Sequence, residues 1–139
     1  MATARMCPYV NFQGNAREAM TFYQGVLGGE LSISTFGDIP MEGTPGEIKD
    51  NVMHSQLDND TLTFMGSDMP PGQPYVTGTN MTLCLFGTDA GRLKKFFEGL
   101  SAGGRVTTPL ARQAWGDEYG SFIDKFGIQW MVNIGAEHF

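Results

Sequence analysis

His54, in "VMHSQL", carries an imidazole, the side-chain type most often used as a general base, and is the natural general base of this chain. A strand histidine, half-buried and bonded to a neighbour, fits the same position, and residue type alone leaves both readings open. A second group stands in "WGDEYGSF", residues 115–122. Trp115 and Tyr119 can close over a planar or apolar ligand, while Asp117 and Glu118 offer acid–base groups, Glu118 being the one paired here with His54. A connecting loop with packed aromatics and solvated acids is the alternative. No Ser-His-Asp or Cys-His constellation is supported, because one internal histidine has no evident orienting partner. His138, close to the last residue, is expected to be solvated.

Strands must position these groups, and their periodicity assigns faces. Alternation in "VMHSQL" puts Val52 and Gln56 on the side of His54, and Met53, Ser55 and Leu57 on the other. In "DKFGIQWMVNI", residues 124–134, Asp124 and Gly127 supply turn chemistry. The strand that follows sets Gln129, Met131 and Asn133 against Ile128, Trp130, Val132 and Ile134, with Trp130 as the packing anchor. Asp68, in "MGSDMPP", reads as the cap of the turn before the prolines.

The elements occur twice. Residues 15–31, "NAREAMTFYQGVLGGEL", stand over residues 89–106, "DAGRLKKFFEGLSAGGRV": Asn15 over Asp89, Phe22-Tyr23 over Phe96-Phe97, and Gly28-Gly29 over Gly103-Gly104 after one insertion. Apolar residues at spacings of three and four predict an amphipathic helix in each copy. Asn15 is expected as one N-cap, with Glu18 completing a capping box, Asp89 as the other, and Gly-Gly as both ends. Strands are predicted before each helix, at 9–13 and 81–86, and three more after it, so the order is βαβββ, repeated. The final hairpins also correspond when 57–65 is laid without a gap on 123–131, which pairs Asp58 with Asp124, Phe64 with Trp130 and Met65 with Met131. Residues 67–80 and 37–50 are Pro- and Gly-bearing connections, either of which could be a lid.

Composition narrows the class. A chain of 139 residues can bury a core as one domain or as two small modules. A net charge of −6, spread rather than blocked, argues against phosphate-backbone binding and so against a nucleic-acid partner. No run approaches membrane-spanning length and the first residues show no secretion signal, so a soluble, cytoplasmic protein without a membrane partner is expected. Cys7 and Cys84 form no C-x-x-C and are expected as buried free thiols.

The repeated unit, with "FY" in the first helix and a D-x-x-G turn before the last strand, resembles the vicinal oxygen chelate superfamily, which includes glyoxalase I, extradiol dioxygenases and antibiotic-binding resistance proteins. "PYVNFQGNAREAMTFYQGVLGGEL", "VMHSQL", "FMGSDMPP" and "WGDEYGSFIDKFGIQWMVN" are similar to the PhnB-like branch, often labelled 3-demethylubiquinone methyltransferase-like. The resemblance implies an α+β, glyoxalase/bleomycin resistance-like fold: two βαβββ modules, residues 6–68 and 79–135 joined by 69–78, form curved mixed sheets around a cavity in a single domain over 1–139. It also implies a homodimer. Methyltransferase activity is not expected, because no Gly-rich strand-to-helix turn with an acidic ribose ligand is present.

Metal-dependent members hold a cation with His or Glu on the first and last strands of each module. The corresponding positions here are Pro8 or Tyr9, Met65, the segment Asn80–Thr82, and Met131. A thioether suits hard or borderline cations poorly, so no metal and no other cofactor is expected. The ligand surface assigned on this basis comprises Trp115, Tyr119, Met65, Met131, Gln129 and Gln56. The same alignment groups Met53, Met69 and Met81 near the two central methionines, and simple core packing is the other reading of all five. The ligand surface would bind a small, largely apolar or planar molecule. The alternatives are a lyase or isomerase of glyoxalase type with His54 as base, with or without an atypical metal site built from His54 and Cys84 or an acidic residue, and a dimeric scaffold filled by its own side chains.

Overall fold

The computed structural model describes residues 4–38, 43, 46–70 and 72–135. The chain separates into two compact units, Met1–Tyr75 and Val76–Phe139. The first contains β1 (Tyr9–Phe12), α1 (Ala16–Leu27), β2 (Glu30–Thr35), β3 (Val52–Asp58) and β4 (Thr63–Asp68), with sheet order β1-β4-β3-β2. The second contains β5 (Leu83–Gly87), α2 (Ala90–Ser101), β6 (Arg105–Arg112), β7 (Glu118–Ile123) and β8 (Gln129–Ile134), ordered β5-β8-β7-β6. The first strand of each unit runs parallel to its last, and the other pairs are antiparallel. The fold is therefore α+β, with the βαβββ order carried out twice on mixed sheets.

Each helix covers one face of its own sheet because its apolar stripe has nowhere else to go. In the first unit Ala16, Ala19, Met20, Tyr23 and Leu27 are buried, and the Tyr23 ring lies 5.1 Å from Phe64 of β4. In the second, Leu93, Phe96, Phe97 and Leu100 pack inward, with Phe97 edge-on to Phe122 at 5.0 Å and Phe122 stacked on Trp130 at 6.4 Å. The Gly-Gly pairs serve the same purpose in both copies. Gly28 and Gly103 take φ near +78° and +79°, and a Cβ on Gly29 or Gly104 would run into the backbone carbonyl of Asp58 or Ile123 respectively.

That shared close approach corrects the alignment of the hairpins. Asp58 stands where Ile123 stands, so Asn59, not Asp58, occupies the place of Asp124. Register agrees: Leu57 faces Phe64 as Phe122 faces Trp130, with one more residue in the second turn. Asp124 accepts the N–H groups of Phe126 and Ile128 through Oδ1 and the Trp130 indole N–H through Oδ2 at 2.9 Å. Asn59 accepts from Thr61 and Leu62, and its amide donates to the carbonyls of Leu27 and Gly28, which closes the end of α1. Asp58 is exposed and bonded to Thr63 and Gln56; the Thr63 hydroxyl first, then the Gln56 amide, lowers its carboxyl pKa.

Capping differs from the local reading as well. Asn15 makes no side-chain cap bond, and Asn15 Oδ1 accepts from Gln13 N–H instead, so the box with Glu18 does not form. The acceptor for the start of α1 comes from the end of β4. Asp68, 2% exposed, takes the N–H groups of Gly14 and Ala16 on Oδ1 and that of Val52 on Oδ2, each at 2.9 Å. It therefore ties three segments together rather than capping the turn before the prolines. Asp89 does cap α2, accepting from Arg92 N–H. Of the 37–50 connection, the described part includes a 3-10 turn at Gly46–Ile48 that buries Ile48. No helix among the described residues is long and apolar enough to cross a membrane.

Candidate functional site

Strand alternation leaves each sheet a second face, remote from its own helix, and the candidate residues distribute between the two sides. In the first unit Phe64 points at α1, so Met65 points away, in register with Tyr9 of β1 and Gln56 of β3. His54 shares this face, opposite Ser34, and its ring centroid lies 6.0 Å from that of Tyr9. Val52 does not share it. Ser34 pairs with His54 but Thr35 pairs with Val52, so Met53 is the extra residue of a bulge, and Val52 turns into the core at 1% exposure.

In the second unit Trp130 and Val132 pack beneath α2, which leaves Gln129, Met131 and Asn133 on the remote face. Met131 is in register with Cys84 and Ser121, Asn133 with Phe86 and Tyr119, and Gln129 with Ile123. Gln129 also donates its amide to the Met81 carbonyl. Trp115, 61% exposed in the turn before β7, brings its ring to 6.1 Å from Tyr119. The "WGDEYGSF" segment is accordingly strand from Glu118 onward, not a loop. Alternation then separates Glu118 from Tyr119: Glu118 faces the helix side, 3.7 Å from Lys94 of α2. Asp117 returns to the Tyr119 side, buried, and accepts the Asn133 amide at 3.0 Å.

The two faces are related position by position. His54 precedes the partner of Gly66, and Tyr119 precedes the partner of Val132, so a phenol stands in one unit where the other has an imidazole. Met65 and Met131 correspond, as do Tyr9 and Cys84. Cys84 is thus the fifth-strand residue at the position sought in Asn80–Thr82, a segment that precedes β5 altogether. Both cysteines are free, and Cys84 is exposed rather than buried, although desolvation by its neighbours pushes its thiol pKa up. The five methionines do not form one group: Met81 is 75% exposed ahead of β5, and Met69 lines a separate depression of about 230 Å³ with Gln13, Asn51 and Gln73. His138 lies outside the described residues.

Among the described residues no group of three or more His, Cys, Asp or Glu side chains is placed to hold an ion. At the positions where the resemblance implies metal ligands, the first unit offers Tyr9 and Met65 and the second Cys84 and Met131, so each holds a thioether, a poor ligand for hard cations. Alternation had already set Asn133 beside Met131, and Tyr9 was one of the two first-strand candidates, whereas sequence reasoning missed Cys84 and Phe86 as members of these faces. Their signal is the pairing register, which a strand start misplaced by two residues conceals.

Comparison with known proteins gives one consistent result. A family model described as the Glyoxalase/Bleomycin resistance protein/Dioxygenase superfamily matches residues 8–132. The chain is 30% identical to protein YjdN of Escherichia coli, with 93% of this chain and 94% of that one covered. It superposes on the crystal structure of protein PA1353 from Pseudomonas aeruginosa with a TM-score of 0.85 at 35% identity, covering 95% and 98% of the two chains. A PhnB protein from Bacillus cereus shares the fold, with a TM-score of 0.77 at 24% identity and coverage of 95% and 100%.

Proposed function

The chain belongs to the Glyoxalase/Bleomycin resistance protein/Dioxygenase superfamily, and from that membership we propose that it is a cytoplasmic, homodimeric small-molecule binding protein of PhnB-like type. Its ligand is small and largely apolar or planar, and no metal takes part in holding it. The observation that carries this reading is the pair Met65 and Met131. Each sits centrally on the helix-remote face of its sheet, with Tyr9 and Gln56 beside the first and Cys84 and Ser121 beside the second. A thioether is soft, polarizable and adaptable, which suits contact with an aromatic or aliphatic surface and not with a divalent cation. Trp115 and Tyr119 add ring surface, and Gln56 and Gln129 supply polar contacts that orient a ligand.

Titration with a panel of planar and apolar compounds tests this through tryptophan fluorescence. Trp115 is 61% exposed and Trp130 is 1% exposed, so the quenched component reports the ligand-accessible indole. Saturable quenching, unchanged by a chelator, is expected; no saturable binding across the panel would count against the reading.

The second reading, a glyoxalase-type lyase or isomerase, is favoured by one observation: His54 stands on the remote face beside the Tyr9 ring, not in the core. There it would act as base with Tyr9 as its neighbour, since Glu118 is turned to Lys94. A stoichiometric metal in purified protein that is lost on His54→Ala would support it over the binding protein. Neither metal nor turnover on small oxygenated substrates would leave the binding protein ahead.

A further inference from the structure

We infer that the depression at one end of the first sheet is a binding site of its own, for a small, neutral, planar heterocycle that carries a hydrogen-bond donor beside an acceptor. It measures about 230 Å³ and is lined by Gln13, Asn51, Met69, Pro70, Gln73 and two glycines. These residues come from three connections: they follow β1, precede β3 and follow β4. Each wall is fixed in place. Asp68 accepts the Gly14 N–H on one oxygen and, on the other, that of Val52, which adjoins Asn51. Met69 donates its N–H to the Phe12 carbonyl at 2.7 Å, and Gln73 closes its turn on the Pro70 carbonyl. Gly14 and Gly72, at φ of +89° and +84°, leave the space open: a Cβ on either would meet nothing within 4 Å.

Three of the lining residues are carboxamides, and none is charged. The Gln13, Asn51 and Gln73 side chains make no hydrogen bond among the described residues, whereas those of Gln24, Gln56, Asn59, Gln113, Gln129 and Asn133 each donate within the protein. They are also within reach, since Gln13 and Gln73 are exposed and Asn51 is half-buried. A carboxamide carries N–H donors and a carbonyl acceptor on one edge, and it bonds twice to an edge of the opposite order, as Asn and Gln do with adenine. Lactams and amino-substituted aza-heterocycles present such an edge. A charged ligand finds no counter-charge in the lining, and a purely apolar one would strip water from three amides without replacing it. Met69 supplies a thioether that packs well against rings, and Pro70 an apolar flank. The volume, below the roughly 300–1,000 Å³ of drug-sized sites, suits one ring or a fused pair.

2-Pyridone and N-methyl-2-pyridone, alike in shape, provide the test on the full-length protein, because methylation removes the donor and blocks the paired edge. Binding is read by NMR from the Met69 Cε methyl and the side-chain amide resonances of Gln13, Asn51 and Gln73. 2-Pyridone is expected to shift the Met69 signal and these amides saturably while Met65 and Met131 stay in place, and to bind about fivefold or more tightly than its N-methyl analogue. Gln13→Ala, Asn51→Ala and Gln73→Ala should each weaken 2-pyridone severalfold and leave the analogue unchanged, with folding checked by far-ultraviolet circular dichroism. Should Asn51→Ala not fold, the two variants at exposed positions decide. Unmoved Met69 and amide signals, a ratio near one in the wild type, or unchanged 2-pyridone affinity in two of the folded variants would overturn the site. Shifts at Met65 or Met131 without Met69 would overturn it too, by assigning the heterocycle to the helix-remote faces, whose small-molecule reading stands or falls by its own titration.

Discussion

Trp130→Ala is expected to lower the unfolding free energy by about 3–5 kcal/mol, a large part of what a domain of this size holds. Trp130 is 1% exposed, stacks on Phe122 at an interplanar angle of 11°, and donates its indole N–H to Asp124 Oδ2. Truncation to alanine opens a cavity beneath α2 and also strips a donor from a buried carboxylate that organises the β7–β8 turn. The two contributions can be separated. Trp130→Phe keeps most of the packing and loses the hydrogen bond, so about 1–3 kcal/mol is expected. Urea unfolding followed by circular dichroism reads both variants, since fluorescence would be altered by the substitution itself. Equal losses for Ala and Phe would mean that the hydrogen bond, not the packing, dominates.

Asp68→Ala is expected to cost about 2–4 kcal/mol by the same measurement, although the residue makes no ion pair among the described residues. Its two oxygens accept from Gly14, Ala16 and Val52, so removal orphans three backbone donors at once and loosens the start of α1, the end of β1 and the entry to β3. Gly14 is exposed and can turn to water; Ala16 and Val52 are buried and cannot. Asp68→Asn should recover only part of the loss, because an amide presents a donor where the site requires a second acceptor. Asn15→Ala is a useful contrast: with no cap bond from its side chain to α1, it should change stability by only a few tenths of a kcal/mol, against about 1 kcal/mol for a working N-cap.

These two residues also show what was legible in the sequence. Trp130 could be assigned to the core from the alternation of "IQWMVNI" alone, because period-two patterning is a local property. The helices were legible for the same reason, from Tyr23 and Phe97 in their apolar stripes, and the doubled βαβββ order followed from the match of Gly28-Gly29 with Gly103-Gly104. Asp68 could not be placed in this way. Its partners lie 16 to 54 residues away, and a local turn motif competes for the same explanation. Asn59 was hidden by the ungapped match of Asp58 to Asp124, since a shorter first turn is visible only in the pairing of Leu57 with Phe64.

The candidate site was partly legible. Met65, Met131, Gln56 and Gln129 do fall on helix-remote faces, as alternation within well-bounded strands required. Val52 failed because a bulge at Met53 changes the parity of the strand, and bulges leave little trace in residue types. Glu118 and Tyr119 were considered together as neighbours in a loop; once β7 begins at Glu118, adjacency in sequence becomes opposition across the sheet. Cys84 emerged only when the start of β5 was fixed at Leu83.

The most direct measurement of the central claim is a methyl NMR titration with the methionines labelled at Cε, using a neutral planar compound and then the same sample after chelator treatment. The Met65 and Met131 signals are expected to shift saturably, Met81, exposed ahead of β5, to stay in place, and chelator to change nothing. Unmoved Met65 and Met131 signals for every planar or apolar compound tried, or shifts that vanish on removing metal, would contradict that claim.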